Sequence, residues 1–545
     1  MNDKQPQSGV NFGQALSQLA QAIDPARPAL LHGTRVVTWG ELDTVTDRIA
    51  AGLAARGVKP GDAAGQMLRN GPEYIMAYFG CAKAGVTPVN VNYHYKEREL
   101  ADIFARFGLK ALFVESEFET RAAEALPEGA LAPIVADAAG ADWHGLCSTA
   151  LPAGFAVHDD PDALFYTATG GTTGMPKAVM WPHGAAWQAF GVATWMRGPG
   201  EPPFVAPSLA DHVAEAARIG PDHPASGAPL LLSPLMHGAG QFAAVIHLLK
   251  GGTLATLPGT RFDVDAAIDA VRQHQARSIA MVGDAFALPL AEALEQRSDA
   301  SKAMASVRQI TSSGAVFSLA NKQRLLAANP RMTIIDALGS SESAGTAVVI
   351  TTVQGSSGGG KFAAIPGRET RLFDENLKEV PQGSDGVGIV ARSGPLPLGY
   401  LGEDEQNART FPMIGGRRWL MTGDRARWGA DGTMEFIGRD NMCINTGGEK
   451  VFPEEVETVL QAHPLVHDVR VVSVPDARFG RRIVAVVQPE GEAADLEPQL
   501  DAHARAGLAG YKIPRLYVFT DQSLRLNNGK PDYKTAQALA DGVGG

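Results

Sequence analysis

The stretch YTATGGTTGMPKAVM, Tyr166 to Met180, gathers Gly170, Gly171 and Gly174, the threonines Thr167, Thr169, Thr172 and Thr173, and Lys177. Glycine lets backbone N–H groups converge on a phosphate with no Cβ in the way. The threonine hydroxyls add donors and the lysine adds a positive charge. The chemistry this makes is a phosphate cradle. It is not a Walker A loop, because Pro176 precedes Lys177 and no Gly-Lys-Ser/Thr follows at the required spacing. Alone, such a stretch reads more readily as a Gly/Thr surface loop, so other parts of the chain must decide.

Four further stretches carry groups of the kind that handle a nucleotide. DALGSSESAG, Asp336 to Gly345, sets Glu342 among serines after an expected strand, Met332 to Ile335. A carboxylate beside hydroxyls suits Mg2+, which takes oxygen ligands and keeps waters and phosphates. In WLMTGDRARWGADGTMEFIGRD, Trp419 to Asp440, Asp424 follows an expected Thr-Gly turn and Arg439 comes fifteen residues on, after a hairpin at Gly432. A carboxylate there can accept both hydroxyls of a ribose. CINTGGEKVFPE, Cys443 to Glu454, turns tightly at Gly447-Gly448, where a thin ligand can pass close to backbone. LNNGKPDYK, Leu526 to Lys534, puts Lys530 on an Asn-Gly turn. Each also has a plainer reading as a solvated turn residue, a simple hairpin or a solvated lysine. His237, in SPLMHGAGQF, follows a strand at the mouth of a helix and reads first as a core or loop histidine. His463 and His467 are four apart, but Pro464 interrupts the helix and no Glu follows His463, which excludes the HExxH zinc pattern.

The elements that must hold these groups alternate. Thr38, with Glu41 three residues later, caps an expected helix Gly40 to Arg56. Strands at Ala63 to Leu68, Thr87 to Val91 and Lys110 to Glu115 sandwich helices at Glu73 to Ala84 and Lys96 to Phe107. Alternation of this kind predicts layered α/β structure with largely parallel sheets. Arg368 to Ala391 has a more β-like texture and reads as a separate subdomain. Beyond Arg439-Asp440, a helix (Pro453 to Gln461), two β-branched strands (Val466 to Val474, Arg482 to Gln488), a helix (Leu496 to Ala506) and a strand (Leu516 to Phe519) suffice for a small α/β domain.

The 545 residues exceed one core, so at least two domains are expected. A net charge of −11 argues against a broad positive field for nucleic acid. Cys81, Cys147 and Cys443 form no CxxC pair, as expected of a reducing compartment without structural zinc. No apolar run approaches the ~18 residues of a membrane span. The start, MNDKQPQSG, lacks signal-peptide features, and a cytoplasmic protein is expected.

Together and in this order, the stretches resemble the adenylate-forming superfamily of acyl-CoA synthetases, luciferases and nonribosomal peptide adenylation domains, from about Asn11 to Lys534. MHGAGQ, INTGGEKVFPEEVE and AGYKIPR make the chain look like the bacterial fatty-acid and steroid side-chain CoA ligases within it. The resemblance implies an α/β fold. A large N-terminal domain, 1–439, has layered α/β sheets, a β-rich subdomain, and the ATP and acyl pocket. A small mobile C-terminal α/β lid, 440–545, carries Lys530 and hinges at Asp440. It also implies ATP, Mg2+ and CoA as cofactors. A carboxylate attacks the α-phosphate of ATP, giving acyl-AMP and pyrophosphate, and the CoA thiol then displaces AMP. Catalysis is then mostly positioning and charge neutralisation.

Carried over by position, Thr169, Gly170, Gly171, Thr172, Thr173, Gly174 and Lys177 would hold the β- and γ-phosphates, with Thr172 and Lys177 among the catalytic groups. Ser341 and Glu342 would serve phosphate and Mg2+. Asp336, Leu338, Gly339 and Ser340 would line the nucleotide, and Asp424 and Arg439 would hold its ribose. Lys530 would touch the carboxylate and the α-phosphate. Gly447 and Gly448 would line the pantetheine tunnel. Ser313, Gly314 and Ala315 would border the adenine and acyl pocket, with His237 at its mouth and Gly238, Gln241, Phe242, Val316 and Ala344 in its walls. Small residues after His237, apolar candidates (Met236, Phe242, Val316, Phe317, Ala344) and no cation among them predict a bulky hydrophobic monocarboxylate: an arylalkanoate, a steroid side-chain acid or a medium to long fatty acid.

Three departures from the family pattern stand out. Ala178 replaces the glycine that usually follows the loop lysine, and Leu338 stands where an aromatic usually stacks on adenine. The segment Gly198 to Gly227 is longer than usual, and is expected at the acyl-pocket rim or an oligomer contact. Alternatives are an enzyme that loads a carrier protein, a luciferase-like oxidase, and a nucleotide-binding homologue with weak or no catalysis. No stretch specifies an oligomer; a homodimer is compatible with the sequence.

Overall fold

The computed structural model of the protein describes residues 9–137, 140–169, 176–195, 202–218, 228–357, 361–365, 368–384, 386–439, 442–446, 449–476, 480–491, 495–526 and 529–543. The N-terminal helix Phe12–Ala22 is capped by Asn11, whose side chain accepts from the Gly13 and Gln14 amides. Thr38 caps Trp39–Ala55 by accepting from the Glu41 amide, as its spacing predicts. Gly85, at φ +71°, ends Pro72–Ala84 in the left-handed conformation that glycine takes most cheaply.

Two large sheets follow from the alternation of strands and helices. One has seven strands in the order Gly399–Tyr400, Lys177–Pro182, Leu164–Thr169, Thr87–Asn90, Ala63–Met67, Leu109–Val114 and Ile134–Val135. Its centre is parallel, and the two strands flanking the Gly/Thr stretch are antiparallel, with Thr169 opposite Lys177. The other, ten-stranded, carries the consecutive parallel strands Ser278–Met281, Gln309–Ser313 and Thr333–Leu338, then turns back antiparallel into Ala347–Thr352. The core between these layers holds Phe12, Trp39, Tyr74, Tyr78, Phe165 and Trp181, all essentially solvent-free. Burying such side chains stabilises the fold by roughly 1.5–3 kcal/mol apiece before entropy is counted.

The β-rich subdomain is a five-stranded antiparallel sheet whose spine is the twelve-residue strand Arg417–Trp428. The Thr-Gly turn expected before Asp424 is instead a bulge inside this strand. Gly423 sits at φ +77° there, and the register against Val387–Ser393 shifts at that point. The bulge lets the strand continue, so Asp424 pairs in register with Arg439 of Met434–Arg439.

The C-terminal elements have cores of their own. Val466–Asp476 and Gly480–Pro489 pair antiparallel, Leu516–Phe519 joins in parallel, and Pro453–Gln461, Leu496–Gly507 and Tyr533–Val543 cover the sheet. This smaller domain meets the larger one at Gly529. Gly529 has φ +80°, and a Cβ there would overlap that of Ala285 at the start of the helix Asp284–Glu295.

Of the long segment Gly198 to Gly227, the described part contains the helix Leu209–Arg218. His212 on it bonds through Nε2 to the Leu249 carbonyl at 2.7 Å. That is the far end of the helix Gly238–Leu249, about 18 Å of helical rise from His237. The described part of the segment therefore packs away from the His237 end.

Candidate active site

Glu342 sits in a loop between Thr333–Leu338 and Ala347–Thr352. The loop is built from its own polar groups. Ser340 N donates to Ser343 Oγ at 2.8 Å, and Glu342 N to Ser340 Oγ at 3.3 Å. Gly339 is required because a Cβ would lie 2.7 Å from the Gly345 Cα as the loop crosses itself. Two arginines hold the loop from beneath. Arg392 donates to the Ser343 carbonyl at 2.6 Å, and Arg368 to the carbonyls of Ala344, at 2.8 Å, and of Gly345. Burial lowers the pKa of both.

The upper side of the loop meets three other segments. Tyr400 donates its hydroxyl to Glu342 Oε1 at 2.8 Å. Trp181 donates its indole N–H to the Ser341 carbonyl at 2.8 Å. Gly238 opens its helix so close to the loop that a Cβ would stand 3.0 Å from Ser341 Oγ and 3.2 Å from Thr167 Cγ2. Lys177 stands 5.5 Å over the Tyr400 ring and 3.7 Å from Glu403. The strand end bearing the Gly/Thr stretch and the Glu342 loop thus share one tyrosine.

Asp424 and Arg439 form the second part. Arg439 Nε donates to Asp424 Oδ1 at 2.8 Å, and Asp424 is buried. Burial raises the Asp424 carboxyl, and the Arg439 guanidinium opposes that rise. The Arg439 pKa is raised, first by Asp424, with Glu454 and Glu342 also contributing. Lys530 completes the set. Burial and then Arg439 lower its pKa, while Glu342 raises it. His237 feels Lys530 as well: burial first, then that ammonium, push the imidazole down to about 3, so it is neutral near pH 7. Asp424, Arg439 and Lys530 therefore all lie within electrostatic reach of Glu342, and His237 within reach of Lys530, although they come from stretches far apart in the chain.

The remaining expected site residues are placed as follows. Thr169 Oγ1 donates to the Lys177 carbonyl at 3.4 Å across the loop base. Ser313 pairs in register with Ala337, which sets the Ser313–Gly314–Ala315 strand end beside the strand leading to the Glu342 loop. Gly314 is solvent-exposed at φ +85°. Asp336 is turned to Lys322, at 2.8 Å, a neighbour the sequence did not suggest. Leu338 packs against the cluster of Ala347, Leu372 and Met434. Gln241 is buried between Thr167 Oγ1, at 3.2 Å, and Tyr74 Oη, at 3.1 Å. Met236 and Phe242 are buried beside His237, Ala344 takes φ +52°, and Phe317 belongs to a different core cluster. Val316 is 55% exposed. Gly170, Gly171, Thr172, Thr173 and Gly174, and likewise Asp440, Gly447 and Gly448, lie outside the described residues.

Sequence reasoning missed Tyr400, Trp181, Asn90, Arg368 and Arg392. Asn90 accepts from Ala168 N at 2.7 Å and donates to the Met236 carbonyl, tying the Gly/Thr strand to the His237 loop. Asn90 and Arg392 did leave a signal, as lone polar residues within apolar β runs (PVNV, IVAR). Tyr400 and Trp181 left none. Among the described residues, no group of three or more His, Cys, Asp and Glu side chains could hold a metal by itself. No described helix is long and apolar enough to cross a membrane.

Residues 18–401 match the family model described as AMP-binding enzyme, and 455–530 that of the AMP-binding enzyme C-terminal domain. The chain is 35% identical to a medium/long-chain-fatty-acid–CoA/3-oxocholest-4-en-26-oate–CoA ligase of Mycolicibacterium smegmatis, with 96% of each chain covered. It is 35% identical to a 3-oxocholest-4-en-26-oate–CoA ligase of Rhodococcus rhodochrous, covering 95% of this chain and 94% of that one. Its fold is similar to that of a benzoate CoA ligase from Burkholderia xenovorans, with a TM-score of 0.79, 22% identity, and 96% and 99% of the two chains covered.

Proposed function

The chain belongs to the AMP-binding enzyme family, and we infer that it is an AMP-forming acyl-CoA synthetase for a bulky hydrophobic carboxylic acid. The observation that carries this reading is the convergence of Glu342, Asp424, Arg439 and Lys530 around one loop. In the first step a carboxylate oxygen attacks the α-phosphorus of ATP, forming the acyl-AMP P–O bond and releasing pyrophosphate. In the second, the CoA thiol attacks the acyl carbon, loses its proton and expels AMP.

Each residue has a part in this reading. Lys530 neutralises charge between the carboxylate and the α-phosphate, and Asp424 accepts from the ribose hydroxyls while Arg439 holds it in place. Lys177 and the Gly/Thr stretch take the β- and γ-phosphates. Ser341 and Glu342 offer the hard oxygen donors that suit Mg2+, which would supply charge neutralisation on the phosphates. One Glu342 oxygen is already fixed by Tyr400, consistent with a site that relies on waters and phosphate for its other ligands. Gly447 and Gly448 border the pantetheine path, and 440–545 is a lid turning at Asp440. A neutral His237, buried Met236 and Phe242, and the small residue Gly238 favour an apolar acyl group. The named acids of the relatives, fatty acids and a steroid side-chain acid, support the same class. A cytoplasmic setting and a homodimer complete the reading, testable by fractionation and by light scattering.

The deciding experiment is an ATP-to-AMP assay with CoA over a carboxylic-acid panel. Turnover with medium and long fatty acids, arylalkanoates or steroid side-chain acids is the expected result. Turnover only with acetate or dicarboxylates overturns the substrate class. Acylation of a carrier protein in preference to CoA overturns the acceptor.

A further inference from the structure

The loop that carries Lys530 is held by a side chain from outside it. Arg525 precedes Lys530 by five positions and donates from Nη1 to the carbonyl of Gly529, the residue next to the lysine, at 3.3 Å. The loop closes on itself through Leu526 N to the Lys530 carbonyl, at 2.8 Å, and Gly529 N to the Leu526 carbonyl, at 2.8 Å. Arg525 is itself fixed. Its Nε lies 2.8 Å from Asp468 Oδ2 and its Nη2 donates to Asp468 Oδ1 at 3.1 Å, a bidentate pair of fixed direction. Asp468 is only 3% exposed. Its carboxylate also accepts from the Val469 amide at 3.0 Å and from Arg470 Nη2 at 3.0 Å. It therefore has a single orientation on the rigid strand Val466–Asp476. On its outer side the pair lines a cavity of about 590 Å³ between the lid and the helices Asp284–Glu295 and Leu319–Ala328.

We propose that Asp468 is a positioning residue for Lys530, acting through Arg525. The chain of contacts runs from the strand to the carboxylate, to the guanidinium, to the carbonyl beside the lysine. An ammonium on a hydrogen-bonded turn alone would sweep a wide arc; a turn tied to a buried carboxylate presents it at one place. Nearby, Gly529 abuts Ala285, so the same brace sets the loop against the large domain. The proposal rests on the reading that Lys530 serves adenylation.

The test uses the full-length chain with Asp468→Asn, Arg525→Gln, Arg525→Lys and, as a reference, Lys530→Ala. Acyl-AMP formation is followed by ATP–pyrophosphate exchange. Thioester formation is followed separately, from preformed acyl-AMP and CoA. Asp468→Asn and Arg525→Gln should lower kcat for acyl-AMP formation by roughly 10- to 100-fold, with the KM for ATP and the thioester step within about twofold of wild type. Arg525→Lys should recover most of the rate. If Lys530→Ala abolishes acyl-AMP formation while the other variants stay within twofold of wild type, the brace is idle and the adenylation reading stands. Equal loss of both half-reactions, with a lowered melting temperature in Arg525→Gln as well as Asp468→Asn, means that the pair only holds the lid's fold. An unaffected exchange rate in Lys530→Ala overturns the proposal together with the reading beneath it.

Discussion

Tyr400 and Glu342, 58 residues apart, are joined by a 2.8 Å hydrogen bond from the phenol to the carboxylate. Burial and the adjacent carboxylate both raise the phenol's pKa, so it remains a donor at any working pH. Tyr400→Phe keeps the ring under Lys177 and removes this bond together with the hydroxyl's contact to Thr410. A hydrogen bond to a charged group contributes about 1.5–3 kcal/mol. The apparent Mg2+ requirement should therefore rise and kcat for acyl-AMP formation fall by roughly tenfold or more. A magnesium titration of the exchange reaction reads both, and an unchanged curve means Glu342 needs no orienting.

The lowered pKa of Lys530 gives a pH dependence with a definite sign. In the proposed role the active form is the ammonium, so acyl-AMP formation should decline as pH rises through a value below 10.5, the ordinary lysine value. His237, held near 3, is already neutral and contributes no step between pH 5 and 9. Rate profiles of the two half-reactions check this. An alkaline limb shared equally by the thioester step would assign it to another group.

Gly238→Ala should affect ATP and acid together. The new methyl would lie 3.0 Å from Ser341 Oγ, and one neighbour must yield by a few tenths of an ångström. The expected outcome is a higher KM for ATP and a severalfold preference for slimmer acids, read by kcat/KM across the panel. A change confined to the acid would show that the loop does not feel the helix.

Glu457 gives the smaller C-terminal domain a pH-dependent stability. Its carboxylate accepts from Val471 N at 2.7 Å and from the Tyr533 hydroxyl at 3.0 Å, facing Arg470 and Glu454. Burial lifts it to about 7, from an ordinary 4.5. Between these values the folded domain keeps a proton that the unfolded chain has lost. Stability therefore falls as pH rises from about 4.5 to about 7 and levels off above, by on the order of 3 kcal/mol. Hydrogen exchange of the Val466–Asp476 amides, corrected for intrinsic rate, should show protection decreasing over that range. Glu457→Gln should flatten the slope, and an identical slope in the variant would put the titration elsewhere.

Much of the local architecture was legible because its causes are local. The Thr38 cap and the helix Pro453–Gln461 each depend on neighbours within a few residues. What the sequence did not disclose was register. Gly423 adopts a positive φ whether it makes a turn or a bulge, and only the sheet around it selects the bulge that sets Asp424 opposite Arg439. Trp181 reaches Ser341 across 160 positions and Arg525 reaches Asp468 across 57. No period in the chain encodes such distances; they follow from which strands become neighbours. Asp336 shows the converse, since a helix fourteen residues away supplied Lys322 as its partner.

The contact between Gly529 and Ala285 behaves as a mechanical stop. It has no clearance for even a methyl group. A stop of that kind fixes where a swing ends. For a lid that turns once in each catalytic cycle, as proposed, arrival is gauged by hard repulsion. Its tolerance is set by a hydrogen atom where any other amino acid would carry carbon.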